Sequence, residues 1–113
     1  MKILITGATG QAFGSVAEDL ARMGNEVSCI ARFGDPGRRA ELEAAGITTA
    51  VWNMGADGLD HLPDDFTHVL HAATLRNSDD PEEVMSVNGV GTAMLMTHCR
   101  NAEAFLVVST FGV

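Results

Sequence analysis

Lys2-Ile3-Leu4-Ile5-Thr6-Gly7-Ala8-Thr9-Gly10-Gln11-Ala12-Phe13-Gly14 follows the initial Met1, and its reading decides the fold. Residues 2–5 are a short apolar run rich in β-branched side chains, the signature of a buried strand. The run enters a glycine-bearing turn, Thr6-Gly7-Ala8-Thr9-Gly10. Behind the turn Phe13, Val16, Ala17, Leu20 and Ala21 recur at helical spacing, with Glu18, Asp19 and Arg22 on the other side, until Gly24-Asn25 stops the helix. Gly7, Gly10 and Gly14 thus stand as G-x-x-G-x-x-x-G between a strand and a helix. Glycines there let backbone approach a pyrophosphate whose charge meets the free N–H groups of a helix N-terminus. The same pattern also serves as a ligand-free βα turn. No Gly-Lys-Ser/Thr follows, so the turn is not a P-loop.

Outward from that stretch, strands and helices alternate. Residues 27–31 read as a second strand covered on both faces. Asp35 caps a helix with Pro36 at its first position, running over 38–45 and closed by Gly46. A third strand spans 48–52. Residues 55–66 are acidic and turn-rich, with Leu59, Leu62 and Phe66 anchoring a short irregular helix. A fourth strand covers 69–71. Asp79-Asp80-Pro81-Glu82-Glu83 starts a helix, its acids against the positive end of the dipole. That helix reaches about residue 101 and buries Val84, Val87, Gly91, Leu95 and His98, and a fifth strand spans 105–108. The alternation predicts an α/β fold, one domain over residues 1–113, with a parallel, doubly wound sheet and right-handed crossovers. The glycine turn after the first strand favours the Rossmann strand order 3-2-1-4-5 over the flavodoxin-like order, a choice that hydrophobic pattern alone leaves open.

Composition excludes several classes. The chain has 113 residues, 46% apolar, with 15 acids against 7 Lys plus Arg and a formal charge of −8. A chain this acidic lacks the basic face that nucleic acid or an anionic membrane needs. It is too apolar to be disordered, and no apolar run approaches the roughly 20 residues of a transmembrane helix. The opening apolar run is too short for a signal peptide. Cys29 and Cys99 lie in apolar-periodic segments without metal spacing and read as reduced structural thiols of a cytoplasmic protein. His61, His68, His71 and His98 share no metal spacing, so no metal site is expected. Asp57, Asp60, Asp64 and Asp65 read as a solvated acidic loop.

The end of the second strand bears on the nucleotide. An Asp or Glu there accepts hydrogen bonds from a ribose diol, as in sites for NAD, FAD or S-adenosylmethionine. Here the strand ends Ile30-Ala31-Arg32-Phe33. A guanidinium cannot accept but matches a 2′-phosphate. Arg32, Arg38 and Arg39 place three of the seven basic residues in this short region. The alternative is that these arginines merely face solvent at a helix start. NADP(H) is the expected cofactor, NAD the weaker fit, and S-adenosylmethionine methyltransfer is disfavoured by Arg32.

Thr6-Gly7-Ala8-Thr9-Gly10 resembles the opening of the extended short-chain dehydrogenase/reductase family, the NAD(P)-dependent epimerases and dehydratases. His71-Ala72-Ala73-Thr74 resembles that family's fourth-strand His-x-Ala-Ala, and Val87-Asn88-Gly89-Val90-Gly91-Thr92 its Asn-Val-x-Gly-Thr helix motif. Val107-Val108-Ser109-Thr110-Phe111-Gly112-Val113 is similar to the family's fifth-strand end. The resemblance implies that Gly7, Thr9, Gly10 and Gln11 line the pyrophosphate and Arg32 holds the 2′-phosphate. It places Asn53 where the family has an Asp near adenine, and Ala72, Ala73 and Thr74 by the ribose next to the nicotinamide. Thr110 is then the catalytic hydroxyl that polarises a carbonyl of a small-molecule substrate, with Ser109 beside it. Asn88 reads as a positioning residue or as a helix amide tying down backbone.

Two departures accompany the resemblance. Phe13 stands where helix register puts the family's third glycine, with Gly14 one place later, which implies a shifted helix or a reshaped loop. The family's acid/base is a Tyr in a Tyr-x-x-x-Lys pair beyond the fifth strand, and this chain contains no tyrosine. The expectation is therefore the N-terminal cofactor-binding part of a reductase or epimerase, inactive by itself; the sequence is silent on oligomeric state, and any homodimer belongs to the complete protein. The alternative is a non-catalytic module that senses NADP(H).

Overall fold

The computed structural model describes residues 1–7, 11–34, 36–54, 57–72 and 80–107, with backbone alone for 11–13, 81 and 83–85. Its elements are β1 (Lys2–Thr6), α1 (Gln11–Arg22), β2 (Glu26–Ala31), α2 (Pro36–Ala44), β3 (Thr48–Val51), β4 (His68–His71), α3 (Pro81–His98) and β5 (Ala104–Val107). The strands form one parallel sheet in the order β3-β2-β1-β4-β5, as the glycine turn predicts.

Because side chains alternate across a strand, each strand feeds two cores. Ile3, Ile5, Val27 and Cys29 meet Ala17 of α1, Leu42 of α2 and Ile47 on one face. Leu4, Ile30 and Val69 meet Trp52, Leu59, Phe66, Cys99 and Leu95 of α3 on the other. The sheet is thus wound on both sides, which explains why its central strands read as continuous apolar runs.

Some local readings shift. The expected inward face of α1 includes Val16, which is 39% exposed, while Ala17 is fully buried. Residues 57–66 form turns and bends rather than an irregular helix. Their anchors are nevertheless those expected, with Leu59 and Phe66 buried and Leu62 half-buried. Here side chains cap the backbone instead, with Trp52 Nε1 donating to the Asp57 carbonyl (3.2 Å) and a ring nitrogen of His98 2.8 Å from the Pro63 carbonyl. α3 begins where its charges predict, capped by Asp80 accepting the Glu82 N–H at 3.0 Å, and ends at His98 rather than near 101. Val87 and His98 are half-buried; the Asp35 cap, the Val84 side chain and residue 108 of the expected fifth strand lie outside the described residues.

Gly91 of α3 lies against Met54 in the segment after β3. A Cβ there would overlap Met54, with Sδ only 2.6 Å away and Cγ nearer still. Overpacking of this kind costs about 1–3 kcal/mol, against about 1 kcal/mol gained by replacing a helical glycine with alanine. Gly91→Ala is therefore expected to be neutral to destabilising in urea unfolding, and stabilising when Met54→Ala is already present. Equal effects in both backgrounds would remove the contact. Both cysteines are buried free thiols, and burial pushes Cys29 up to about 12. Neither is expected to react with Ellman's reagent at about pH 8 until the protein unfolds, because the thiolate is the reactive form.

Candidate functional site

In a parallel sheet every strand ends at the same edge, and ligands of open α/β folds bind there, where strand order reverses. The reversal here lies between β1 and β4. Gly7 follows β1, Arg32 follows β2, Asn53 stands two residues beyond β3, and Ala72 follows β4. One edge therefore gathers four residues that the sequence reading selects. Gln11 begins α1, whose N-terminal N–H groups lie just past the turn. Gly7 has φ of 77°, a left-handed backbone that L side chains resist, so its glycine is required by the turn itself. Thr9, Gly10, Ala73, Thr74, Ser109 and Thr110 lie outside the described residues, as does the Phe13 side chain.

Beneath this edge runs a buried polar chain that the sequence reading did not assemble. Thr6 Oγ1 accepts the Ala72 backbone N–H at 2.9 Å and lies 2.7 Å from His71 Nδ1. His71 Nε2 is 2.9 Å from Thr92 Oγ1 on α3. Thr6 is fully buried and His71 3% exposed, with the rings of Trp52 and Phe105 each 6.4 Å from the imidazole. A neutral imidazole, one nitrogen donating and the other accepting, bridges the two hydroxyls. The sequence signal was present in the motifs Thr6-Gly7, His71-Ala72 and Gly91-Thr92; what joins them is the parallel register of Thr6 with His71.

The three arginines near β2 separate. Arg38 bonds Glu41 (2.8 Å) and Glu18 (3.4 Å), which raise its pKa further. Arg39 Nε donates to Glu43 and Thr49, and its guanidinium sits over the Phe33 ring at 5.4 Å from the centroid. Phe33 itself has φ of 51°, unusual for a non-glycine residue and unsignalled in the sequence. Nearness in sequence thus does not make the three arginines one cluster. Only Arg32 of the three is exposed without a hydrogen bond or ion pair among the described residues.

Asn53 is half-buried and held by Asp57, whose Oδ2 accepts its backbone N–H at 2.8 Å and its Nδ2 at 2.9 Å. Those two bonds, the backbone one first, hold the Asp57 carboxyl below the usual carboxylate range. Asp60, Asp64 and Asp65 are exposed, as a solvated acidic loop predicts, with Asp65 paired to Lys2, while Asp57 is half-buried. Among the described residues no group of three His, Cys, Asp or Glu is placed to hold a metal ion, and no helix is long and apolar enough to cross a membrane.

Burial pushes the His71 imidazole below its ordinary value. The unfolded chain therefore takes a proton there before the folded one does. Stability from this group is present above about pH 6.5 and lost as the pH falls below it, at no more than about 1.4 kcal/mol per pH unit. The urea midpoint is expected to drop between about pH 7.5 and 5.5, and His71→Gln to flatten that slope. An unchanged slope in the variant would clear His71 of the effect.

The model of the NAD dependent epimerase/dehydratase family matches residues 3–113. A search of curated proteins finds no match. Among solved structures, the UDP-glucuronic acid 4-epimerase from Bacillus cereus in complex with NAD aligns with a TM-score of 0.77 at 24% identity, over 97% of this chain and 40% of that one. The enzyme WbmG from Bordetella bronchiseptica, in complex with NAD, aligns at 0.76 and 27% identity over 95% and 36%. The yeast methylglyoxal/isovaleraldehyde reductase Gre2, complexed with NADPH, aligns at 0.75 and 20% identity over 97% and 37%. The chain spans 40% or less of the length of these three proteins. A family match that begins in β1 and takes in the whole sheet is decisive, and the chain belongs to the NAD-dependent epimerase/dehydratase family.

Proposed function

We propose that the chain forms the NADP(H)-binding part of an oxidoreductase or epimerase that moves hydride at a carbonyl or carbinol carbon of a small molecule. The observation that carries the nucleotide reading is the convergence of Gly7, Arg32, Asn53 and Ala72 at the edge where the sheet reverses. The nicotinamide dinucleotides in the solved relatives support it. Preference for the 2′-phosphate rests on Arg32, which has no acidic partner among the described residues, whereas Arg38 and Arg39 are neutralised.

The residues present fit such a ligand. The left-handed Gly7 turn and the backbone at Gln11, with Thr9 and Gly10, would hold the pyrophosphate at the start of α1. Arg32 would grip the 2′-phosphate and Asn53 the adenine. Ala72, whose N–H is fixed by Thr6, would with Ala73, Thr74 and Ser109 line the ribose beside the nicotinamide. Thr110 would donate to the substrate oxygen and stabilise charge as it develops there. When bound, the nicotinamide accepts or supplies the hydride. The chain has no tyrosine, so this reading assigns its 113 residues binding and orientation rather than proton transfer. It places the complete enzyme in the cytoplasm.

Calorimetry with NADPH and NADH tests the reading. A charge-assisted phosphate contact contributes roughly 1.5–3 kcal/mol, about a 10- to 100-fold preference for NADPH. Arg32→Ala is expected to erase most of that preference, and Arg39→Ala, whose guanidinium is already engaged by Glu43, to leave it standing. Equal affinities for the two nucleotides in the unmutated protein would end the NADP(H) assignment.

A further inference from the structure

Asn53 is an amide where a carboxylate would be the simpler acceptor, and its surroundings decide which end of that amide a ligand meets. The two ends of an asparagine side chain are nearly equal in shape and opposite in hydrogen-bonding sense. Left to itself, such a group turns to suit either a donor or an acceptor. Asp57 removes that freedom. An ionised carboxylate only accepts, and its Oδ2 takes the Asn53 backbone N–H at 2.8 Å and Nδ2 at 2.9 Å. One N–H of Nδ2 is therefore committed to Asp57, which fixes the turn of the amide and leaves Oδ1 outside that pairing. The same bonds hold the Asp57 carboxyl below the ordinary range, so it stays charged throughout the neutral region. The loop is closed as well. Asp57 N–H donates to the Asn53 carbonyl at 2.9 Å, and Trp52, 2% exposed, donates through Nε1 to the Asp57 carbonyl.

We propose that Asp57 is a positioning residue that locks the Asn53 amide with its oxygen as the acceptor offered to the nucleotide base, so that the site selects a 6-aminopurine over a 6-oxopurine. The inference rests on the dinucleotide reading above. The amino group of adenine donates to a fixed Oδ1. The 6-oxo group of hypoxanthine sets one acceptor against another, a mismatch that a freely turning amide would relieve and a locked one does not. Asp57 thus supplies discrimination more than affinity.

The test uses full-length protein with NADPH and its hypoxanthine analogue. Unmutated protein is expected to bind the adenine form about tenfold more tightly, the equivalent of one well-placed hydrogen bond. Asp57→Asn and Asp57→Ala, checked for folding by circular dichroism, are expected to bring the ratio close to one while affinity for NADPH changes far less. Asp57→Glu keeps an acceptor-only partner and is expected to retain part of the selectivity. Without nucleotide, the side-chain amide signals of Asn53 in ¹⁵N spectra should titrate with a carboxyl below the usual range, and should lose that step in Asp57→Asn. A tenfold ratio kept in both Asp57→Asn and Asp57→Ala, equal binding of the two forms by unmutated protein, or Asn53 signals blind to Asp57 would each overturn the lock. Binding of neither dinucleotide would instead overturn the reading on which it rests, and the lock with it.

Discussion

The Thr6 hydroxyl, accepting the Ala72 N–H while it meets the His71 ring, is the joint on which this sheet turns. β1 and β4 are neighbours in space but 65 positions apart at that contact, and the strand order reverses between them. Ladder bonds pair the strands along their length, yet beyond Thr6 and His71 the chains must part, one into the glycine turn and one toward Ala72. The Ala72 N–H is shared between the Thr6 carbonyl (3.3 Å) and the Thr6 hydroxyl (2.9 Å), so the side chain reinforces the last step of the pairing. It sets where the two connections diverge, and therefore where a crevice can open. His71 extends the same joint to Thr92, so α3 is tied to the sheet by a polar bond as well as by Leu95.

Charge is distributed with a comparable logic. With 15 acids for 7 Lys plus Arg, almost any base can find a partner. Lys2 takes Asp65, Arg22 takes Asp19, Arg38 takes Glu18 and Glu41, and Arg39 takes Glu43. Surface pairs of this kind contribute little to stability. Their effect is on availability, for a guanidinium already satisfied has less to offer a phosphate. Arg32, in the short link between β2 and α2, escapes this pairing among the described residues.

The sheet was legible because period and punctuation agreed. The first apolar run ended at Gly7, helical spacing stopped at Gly24 and Gly46, and strand order followed from the turn after β1. Pairing of side chains was not legible, because it depends on partners far apart in sequence. Nothing in Arg32-Phe33 and Arg38-Arg39 distinguishes three arginines that differ only in which acids α1 and α2 bring near. Asp57 looked like one more acid in a solvated loop until the backbone returned it to Asn53. The 57–66 segment kept its anchors but not its helix, since Trp52 and His98 satisfy carbonyls that a helix would have satisfied internally.

The long separation across the β1–β4 joint also shapes how the chain assembles. β1 can pair with β2 once residue 31 exists, through a short crossover, whereas its other edge waits for residues 68–71. Closing that larger loop costs more entropy before any contact compensates, so the β1–β2–β3 half can organise first and β4 join later. During synthesis from the N-terminus, the edge of β1 opposite β2 stays unpaired until residues 68–71 have been made. An uncovered edge flanked by Ile3, Leu4 and Ile5 invites pairing with another chain. The strand at the centre of the finished sheet is thus the one most vulnerable to misassembly while the polypeptide is still being made.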